Sequence, residues 1–451
     1  MPPFKSISVA AHHHTHHMPL LQKLALSLVG AGILLQFIFW IRFITEGASG
    51  WLWSSIGCLT AGSIGFTVIQ YKDTLPGIRN NHNWFTSLTS RGSTAWILAV
   101  CLTGFYILLY WFPHLLGQGS DGTGNTGLIR LFDPLSQFLK GKPASQWFVY
   151  GAMYTLTILL LGIKFIYKYR HNKYQVYRTF SIIFFQTAFA FILPEIMQGL
   201  NKPYYDFKNI WPLNYYFFFD WNLDAMMAAG TIGYFMLFWG ILSFLVLTPV
   251  LTYYFGKRWY CSWVCGCGGL AETAGDPFRH LSDKSRRAWN VERWMIYSVL
   301  VFVVLMTISV LVTRFTGIRA IFFIDSGILS QVYGFLMGAA FSGVVGVGFY
   351  PLLGSRVWCR FGCPMAAYLG ILQRLSIKLP WKKEPVRMSK FRITTNGGLC
   401  ISCGNCSTYC EMGIDVKAYA QRQEDIIRAS CVGCGICSAV CPRGVLKLEN
   451  I

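Results

Sequence analysis

The sequence predicts a polytopic α-helical membrane protein that ends in a small cysteine-rich α+β domain. Its mean hydropathy is +0.43, and only 13% of its residues are charged. Soluble proteins carry about 25% charged residues, so burial in a membrane explains the composition. The formal net charge of +20 comes mostly from short loops between apolar segments. Basic loops of this kind are typical of the cytoplasmic side of a membrane, which argues against a nucleic-acid surface.

Eight apolar segments are long enough to cross a bilayer, since a spanning helix needs about 20 residues. Many Trp and Tyr residues flank them, as expected at a membrane–water interface. We therefore expect about eight spans. The segments lie near residues 22–44, 51–71, 93–113, 146–167, 177–199, 226–255, 293–313 and 327–353.

Lys and Arg concentrate in alternate loops, which predicts the orientation because loops rich in them stay in the cytoplasm. An even number of spans then places both termini there, and we expect a multi-pass protein of the bacterial inner (cytoplasmic) membrane. The basic loops carry Lys72, Arg79, Arg91, Lys168, Arg170, Lys173, Arg178, Lys257, Arg258, Arg279, Lys284, Arg286, Arg287 and Arg293. The opposite loops carry Glu46, Asp121, Asp133, Asp206, Asp220, Asp224 and Asp325.

Two motifs near the C-terminus read C-x-x-C-x-x-C-x-x-x-C, the spacing of bacterial ferredoxins with two [4Fe–4S] clusters. The second is followed by Pro442, whereas Glu411 follows the first. In this pattern the fourth cysteine of each motif binds the other cluster. The spacing therefore predicts a bacterial two-cluster ferredoxin-like domain; zinc would favour separated C-x-x-C pairs. Cluster 1 is assigned to Cys400, Cys403, Cys406 and Cys441, and cluster 2 to Cys431, Cys434, Cys437 and Cys410.

A second repeat, G-x-R-x-aromatic-C-x-x-x-C, follows the sixth and the eighth apolar segments. Cysteines at i and i+4 share one face of a helix, so two such pairs would supply four thiolates. Four thiolates suit a third Fe–S cluster or a zinc or copper site, although buried thiols without metal remain an alternative. Arg258 and Arg356 are expected to stabilise thiolate charge or to anchor at headgroups. The candidate ligands are Cys261, Cys265, Cys359 and Cys363, with Cys267 as a substitute ligand.

These features divide the chain into four regions. A His-rich tail could bind metal or simply be solvated, and the basic linker is expected to lie at the lipid surface. The regions are a cytoplasmic N-terminal tail (1–21, with His12, His13, His14, His16 and His17), a transmembrane domain (22–377) with cytoplasmic cysteine-pair loops near 256–268 and 354–364, the linker (378–399), and the two-cluster domain (400–451).

From Gly256 to Cys441 the chain resembles the NapH/NosR-type membrane polyferredoxins, which include a quinol-dehydrogenase membrane component and the nitrous-oxide reductase regulatory protein. Cys359 to Pro364 matches the usual C-x-x-x-C-P motif of that family, whereas Cys265-Gly266-Cys267 departs from it. The resemblance implies electron transfer between membrane quinol and a redox partner. The expected partners are membrane lipid, quinone and other redox subunits, without nucleic acid.

The leading hypothesis is thus a membrane-bound Fe–S protein that relays electrons between the quinone pool, or a cytoplasmic donor, and a partner redox complex. It would work as an electron-transfer subunit of a quinol dehydrogenase complex. Glu195, which follows Pro194, is a candidate proton acceptor or an interfacial glutamate facing water. One alternative is a copper-reducing assembly factor for a respiratory enzyme, which the His-rich tail and Cys267 would suit. A membrane redox sensor is the other.

Overall fold

The computed structural model describes residues 19–41, 44, 46–72, 87–120, 124–318, 320–321, 324–377, 386–387 and 389–450. Within these residues, eight helices are long and apolar enough to cross a membrane. We number ten helices in chain order: α1 (Leu20–Ile41), α2 (Ala48–Tyr71), α3 (Ser93–Trp111), α4 (Gln146–Lys168), α5 (Lys173–Gly199), α6 (Thr231–Phe255), α7 (Gly266–Thr273), α8 (Arg286–Thr316), α9 (Ser326–Gly348) and α10 (Pro364–Arg374).

All of these helices except α7 and α10 are the candidate spans, and they match the eight apolar segments of the sequence. Side-chain caps help to set where four of them begin, because a cap accepts one of the otherwise unpaired first N–H groups. Ser145 caps α4, Asn172 caps α5, Ser285 caps α8 and Asp325 caps α9. Gly317, with a φ of +74°, ends α8 in the left-handed conformation that glycine tolerates.

The remaining elements are short. π-helical stretches interrupt α5 at Phe185–Ile192, α6 at Ser243–Leu247 and α9 at Gly334–Val345. Short helices lie at Pro113–Leu116, Gly127–Leu131, Asp133–Lys140, Asp220–Ala228, Arg258–Cys261, Asp276–Leu281, Tyr350–Leu353, Trp358–Gly362, Gly397–Leu399, Asn405–Thr408, Val416–Gln421 and Ile436–Ala439. Antiparallel strand pairs are β1 (Ala320–Ile321) with β2 (Ile324–Asp325), β3 (Ser376–Ile377) with β4 (Val386–Arg387), and β5 (Phe391–Thr395) with β6 (Leu446–Asn450).

The chain after α6 folds back into the helix bundle. It turns at Gly256, where φ is +63°, and α7 then packs along α5. The Ser181 hydroxyl of α5 donates a hydrogen bond to the Trp263 carbonyl over 2.8 Å. A Cβ on Gly269 would overlap the Ile182 side chain, so the close packing of α7 on α5 requires glycine there.

The loop between α5 and α6, which the sequence predicts to be an outer acidic loop with Asp206, also packs into the bundle. The Tyr260 hydroxyl donates to the Lys208 carbonyl over 3.0 Å, and the Trp211 indole donates to the Thr307 hydroxyl of α8 over 3.1 Å. Ile210 lies in the same buried core as Tyr260 and several cysteines. This loop therefore packs directly beside the cysteine-pair region.

The C-terminal module, residues 389–450, is built on the β5–β6 pair and on short helices, with a bridge between Ile393 and Ile426. Together with the eight candidate spans it confirms the fold class that the sequence predicts. The His-rich tract and residues 378–385 and 388 of the basic linker lie outside the described residues.

Candidate metal centres

One cavity of the module is lined by four cysteines of the two motifs in the crossed arrangement. The cysteines that line it are Cys410, from the first motif, and Cys431, Cys434 and Cys437, from the second. Apolar side chains such as Ile393 complete the lining. The donor set suits a [4Fe–4S] cluster, because soft thiolates in an apolar cage are its usual ligands. These are the residues assigned to cluster 2.

A second cavity is lined by Cys400, Cys403, Cys406 and Cys441, the residues assigned to cluster 1. This cavity lies nearer the surface than the first. Cys403 is exposed, whereas Cys431 and Cys437 of the other set are buried. The neighbouring Ile401 side chain is likewise more than half exposed. The module thus has one enclosed and one accessible cysteine cavity.

The two cavities are built alike. The sulfur of Cys410 accepts the backbone N–H of Ile414 over 3.4 Å, and the sulfur of Cys441 accepts that of Val445 over the same distance. Hydrogen bonds to sulfur are one of the means by which proteins set cluster potentials. Each cysteine motif has two residues with left-handed backbone, which lets the loop turn tightly around its cavity. They are Ser402 and Gly404 in the first motif, and Gly433 and Gly435 in the second.

Four further cysteines meet inside the membrane domain, and we call them the buried cysteine centre. They share one buried core, and Cys267 packs against it. Burial raises the pKa of the Cys363 thiol well above its usual value, and the electrostatic influence of Cys359, Cys261 and Cys265 raises it further. Soft metals or Fe–S clusters would displace the protons of such thiols. The centre comprises Cys261, Cys265, Cys359 and Cys363, which are 6–8% exposed.

The buried cysteine centre packs against the middle of α5, whereas the sequence predicts cytoplasmic loops for the two cysteine pairs. A Cβ on Gly266 would lie 3.4 Å from Cε1 of Tyr154 and would overlap the amide oxygen of Gln186. Gln186 is the middle residue of α5, about 20 Å along the helix from Lys173 at about 1.5 Å per residue. The cysteine pairs therefore sit within the bundle, because the segment that carries the first pair folds back between α6 and α7.

Between this centre and the module lies a group of buried charges that we call the ionic network. Glu272 pairs with Arg178, with Arg279 at 2.7 Å and with Arg356 at 3.3 Å. The Glu411 carboxylate pairs with Arg279 at 2.7 Å and with Arg356 at 2.6 Å. All five residues are fully buried. Burial raises the pKa of Glu272, but the surrounding guanidinium groups outweigh it and lower the pKa to about 2.

Asp276 extends the network to α4, since it pairs with Lys168 at 2.6 Å and with Arg279 at 2.9 Å. The sequence predicts basic loops at Lys168, Arg178 and Arg279, whereas the structure buries their charges in ion pairs. Carboxylate oxygens of Glu272 and Glu411 lie within 4.8 Å of the Cys434 sulfur. Because guanidinium groups already pair with both carboxylates, we assign them to the network rather than to a metal site.

The membrane domain holds the module by the backbone of the second cysteine motif. Each of four membrane-domain side chains donates a hydrogen bond to a carbonyl of this motif or its approach. The pairs are Tyr174 with Gly433 (2.8 Å), Gln175 with Cys434 (2.9 Å), Ser262 with Val432 (2.7 Å) and Lys257 with Ala429 (3.0 Å). The module therefore docks with its enclosed cavity facing the bundle, which leaves the exposed Cys403 on the other cavity.

The two arginines of the repeat have different hydrogen-bond partners, although they occupy the same position in the motif. Arg356 donates to the sulfur of Cys359 over 3.7 Å. Arg258 instead donates to the Asn450 side chain over 3.0 Å and lies over the Phe391 ring. It thus fastens the module rather than a thiolate.

Glu195 lies at the other end of α5 and is buried rather than facing water. Its carboxylate pairs with the Lys140 ammonium group at 2.9 Å. The sequence does not single out Glu272, and it indicates Arg279 only as a basic loop residue. Two features of the sequence could have indicated the network. Glu272 is an acidic residue in a glycine-rich apolar stretch, and Glu411 stands where the second cysteine motif has a proline.

Two protein-family models match the chain. The model described as "4Fe-4S dicluster domain" matches residues 392–442. The model described as "4Fe-4S binding domain" matches residues 236–289 and 334–382, which contain the two cysteine pairs. Two kinds of 4Fe–4S-binding domain are therefore present, each with clustered cysteines, and the predicted ferredoxin-type motif is confirmed.

The Escherichia coli (strain K12) protein YccM, which carries the provisional description of an electron transport protein, is 26% identical over 190 residues. The match covers 40% of this chain and 47% of YccM. The chain therefore spans about half the length of this curated relative. No solved structure matches the chain.

Proposed function

We propose that the chain is a membrane-bound iron–sulfur protein that relays electrons between the quinone pool and a partner redox complex, as NapH/NosR-type polyferredoxins do. One observation carries the proposal. The buried cysteine centre and cysteines of both module cavities belong to one continuous core, which runs from inside the helix bundle to Cys400, Cys406 and Cys441. The exposed Cys403 lines the same cavity as these three cysteines. Redox groups held there would form a connected series.

The buried cysteine centre is the proposed site of a third [4Fe–4S] cluster. Its four sulfurs supply the number and type of ligand that such a cluster requires. The match of a 4Fe–4S-binding domain to both cysteine-pair segments supports this assignment. The protein would then carry about twelve irons. The basic loops support a bacterial inner membrane location with the module in the cytoplasm.

A groove on α8 is the proposed binding site for quinol. It measures about 650 Å³, and its apolar wall includes Trp294 and Val301, which are more than half exposed on a candidate span. Arg293 and Tyr297 line both this groove and a small neighbouring cavity, which Cys359 also lines. Mostly apolar walls with a few polar groups are typical of sites for small organic molecules. A quinol head group in this groove would lie close to the buried cysteine centre.

Val301→Trp is expected to fill the groove and to slow quinol-dependent cluster reduction at least tenfold, while reduction by dithionite is unchanged. The measurement is anaerobic addition of quinol to the purified chain with optical and EPR detection. Val250→Trp is the matched control, because Val250 is similarly exposed on α6. A wild-type rate in Val301→Trp would exclude the groove, and clusters that quinol never reduces would exclude the quinone pool.

Gly268→Ala is expected to remove the iron of the buried cysteine centre, since a Cβ at that position would overlap the Cys261 carbonyl. Iron and sulfide analysis should show about four fewer irons than in wild type. Gly104→Ala in α3 is the control, because a Cβ there meets no atom within 4 Å. Full iron content in Gly268→Ala would mean that the centre does not depend on this close approach.

Cys267 favours one alternative, a copper-reducing assembly factor. It adds a fifth thiol beside the buried cysteine centre, and soft thiolates suit Cu(I). Metal analysis after growth with copper distinguishes the two functions. Copper in place of iron at the centre, with Cu(II) reduction by the purified chain, would support the alternative.

A further inference from the structure

The Arg356 guanidinium lies between two thiolate sites that belong to different parts of the chain. One of its nitrogens donates to the sulfur of Cys359, in the buried cysteine centre, over 3.7 Å. Another donates to the carboxylate of Glu411 over 2.6 Å. Glu411 directly follows Cys410, a lining residue of the enclosed module cavity. A single cationic side chain therefore bridges the neighbourhoods of both sites.

Glu411 stands where the second motif has Pro442, so the two cavities differ at this position. Its side chain is fully buried, and Arg279 and Arg356 both donate to it. Pro442 has no such side chain and lines the accessible cavity. The carboxylate thus places a negative charge at the enclosed cavity that the accessible cavity lacks.

Buried charges act strongly because water and salt screen them little. A positive charge or an N–H donor beside a ligating sulfur stabilises the more negative, reduced state of a cluster and therefore raises its reduction potential. A carboxylate has the opposite effect. Arg356 and Glu411 partly cancel one another, so the removal of either one exposes the charge of the other.

We propose that Arg356 and Glu411 are a positioning pair. Together they set the reduction potential of the cluster in the buried cysteine centre relative to that of the cluster in the enclosed module cavity. The proposal rests on the proposed function, in which both sites hold clusters. No bond forms or breaks. The pair acts through its fixed charges and through the Arg356 hydrogen bond to Cys359.

The test is an anaerobic redox titration of the full-length chain, followed by EPR. In Arg356→Gln the reduced-to-oxidised ratio of the buried cysteine centre should fall about tenfold at a given ambient potential, equivalent to about 59 mV for a one-electron couple. In Glu411→Gln the same ratio should rise. Arg356→Lys keeps the charge and should restore most of the wild-type potential. Loosened packing alone would not shift the potential in opposite directions in the Arg and Glu variants.

Arg258→Gln is the matched control, because Arg258 holds the equivalent place in the repeat but bonds to Asn450. It should leave the potential of the buried centre unchanged. Shifts of the same sign in Arg356→Gln and Glu411→Gln, or an Arg258→Gln shift as large as that of Arg356→Gln, would overturn the proposal.

Two outcomes separate this inference from the proposed function. If Arg356→Gln does not assemble, Glu411→Gln should still raise the potential while the charge-keeping Arg356→Lys stays close to wild type, and an unchanged potential in Glu411→Gln overturns the pair. If wild type shows only the module clusters, the third cluster is refuted. The potential of the cluster beside Cys410 then decides the role of Glu411, and it must still rise in Glu411→Gln.

Discussion

Cys359→Ser is expected to lower the iron content from about twelve to about eight irons per chain, because it removes one of four ligands of the buried cysteine centre. The two module clusters should keep their EPR signals, since neither of their cavities includes Cys359 among its lining residues. The measurement is iron and sulfide analysis of anaerobically purified protein, combined with EPR of the dithionite-reduced sample.

Cys58→Ser is the control for this substitution, because Cys58 lies within α2 and outside the core that holds the other cysteines. It should leave about twelve irons. Eight irons in the wild type would show that the buried thiols carry no cluster. Loss of the module signals in Cys359→Ser would instead show that the three sites assemble only together.

Glu272→Ala is expected to destabilise the protein by about 3–5 kcal/mol, because it leaves the buried Arg178 guanidinium without its carboxylate and removes one carboxylate partner from each of Arg279 and Arg356. Glu272 is fully buried and meets Arg178, Arg279 and Arg356. We expect faster hydrogen exchange around residues 429–434, where the membrane domain holds the module, and a lower denaturation midpoint of the detergent-solubilised holoprotein.

The matched control is Asp224→Ala, which removes an equally short ion pair at the surface. Asp224 pairs with Arg314 at 2.7 Å, but its side chain is 63% exposed. Exposed ion pairs contribute roughly 0–1 kcal/mol, so this variant should behave almost as wild type. Equal effects of the two substitutions would show that burial does not make the ionic network important for stability.

Much of the fold follows from local properties of the chain. The span positions follow from hydropathy, because about 20 consecutive apolar residues are themselves the physical requirement for crossing a bilayer. The two crossed sets of module cysteines follow from spacing, since one tight loop can present three sulfurs at intervals of three residues. The structure lines one cavity with each expected set.

The position of the buried cysteine centre within the helix bundle could not be predicted in this way. Its first pair follows an apolar helix, so the sequence places it where that helix leaves the membrane. Whether the chain continues outward or folds back depends on contacts of α7 with α4 and α5. The close approach of Gly269 to Ile182 is one such contact, and it joins residues far apart in the chain.

The ionic network shows the same limit. Glu272 and Glu411 are separated by more than a hundred residues, yet both bind Arg279 and Arg356. Arg258 and Arg356 have the same local motif, but only Arg356 donates to a cysteine sulfur. Spacing alone is therefore enough to find the candidate ligands and the helices. Tertiary structure decides which charges surround those ligands, because buried ions are stable only where distant parts of the chain bring their partners together.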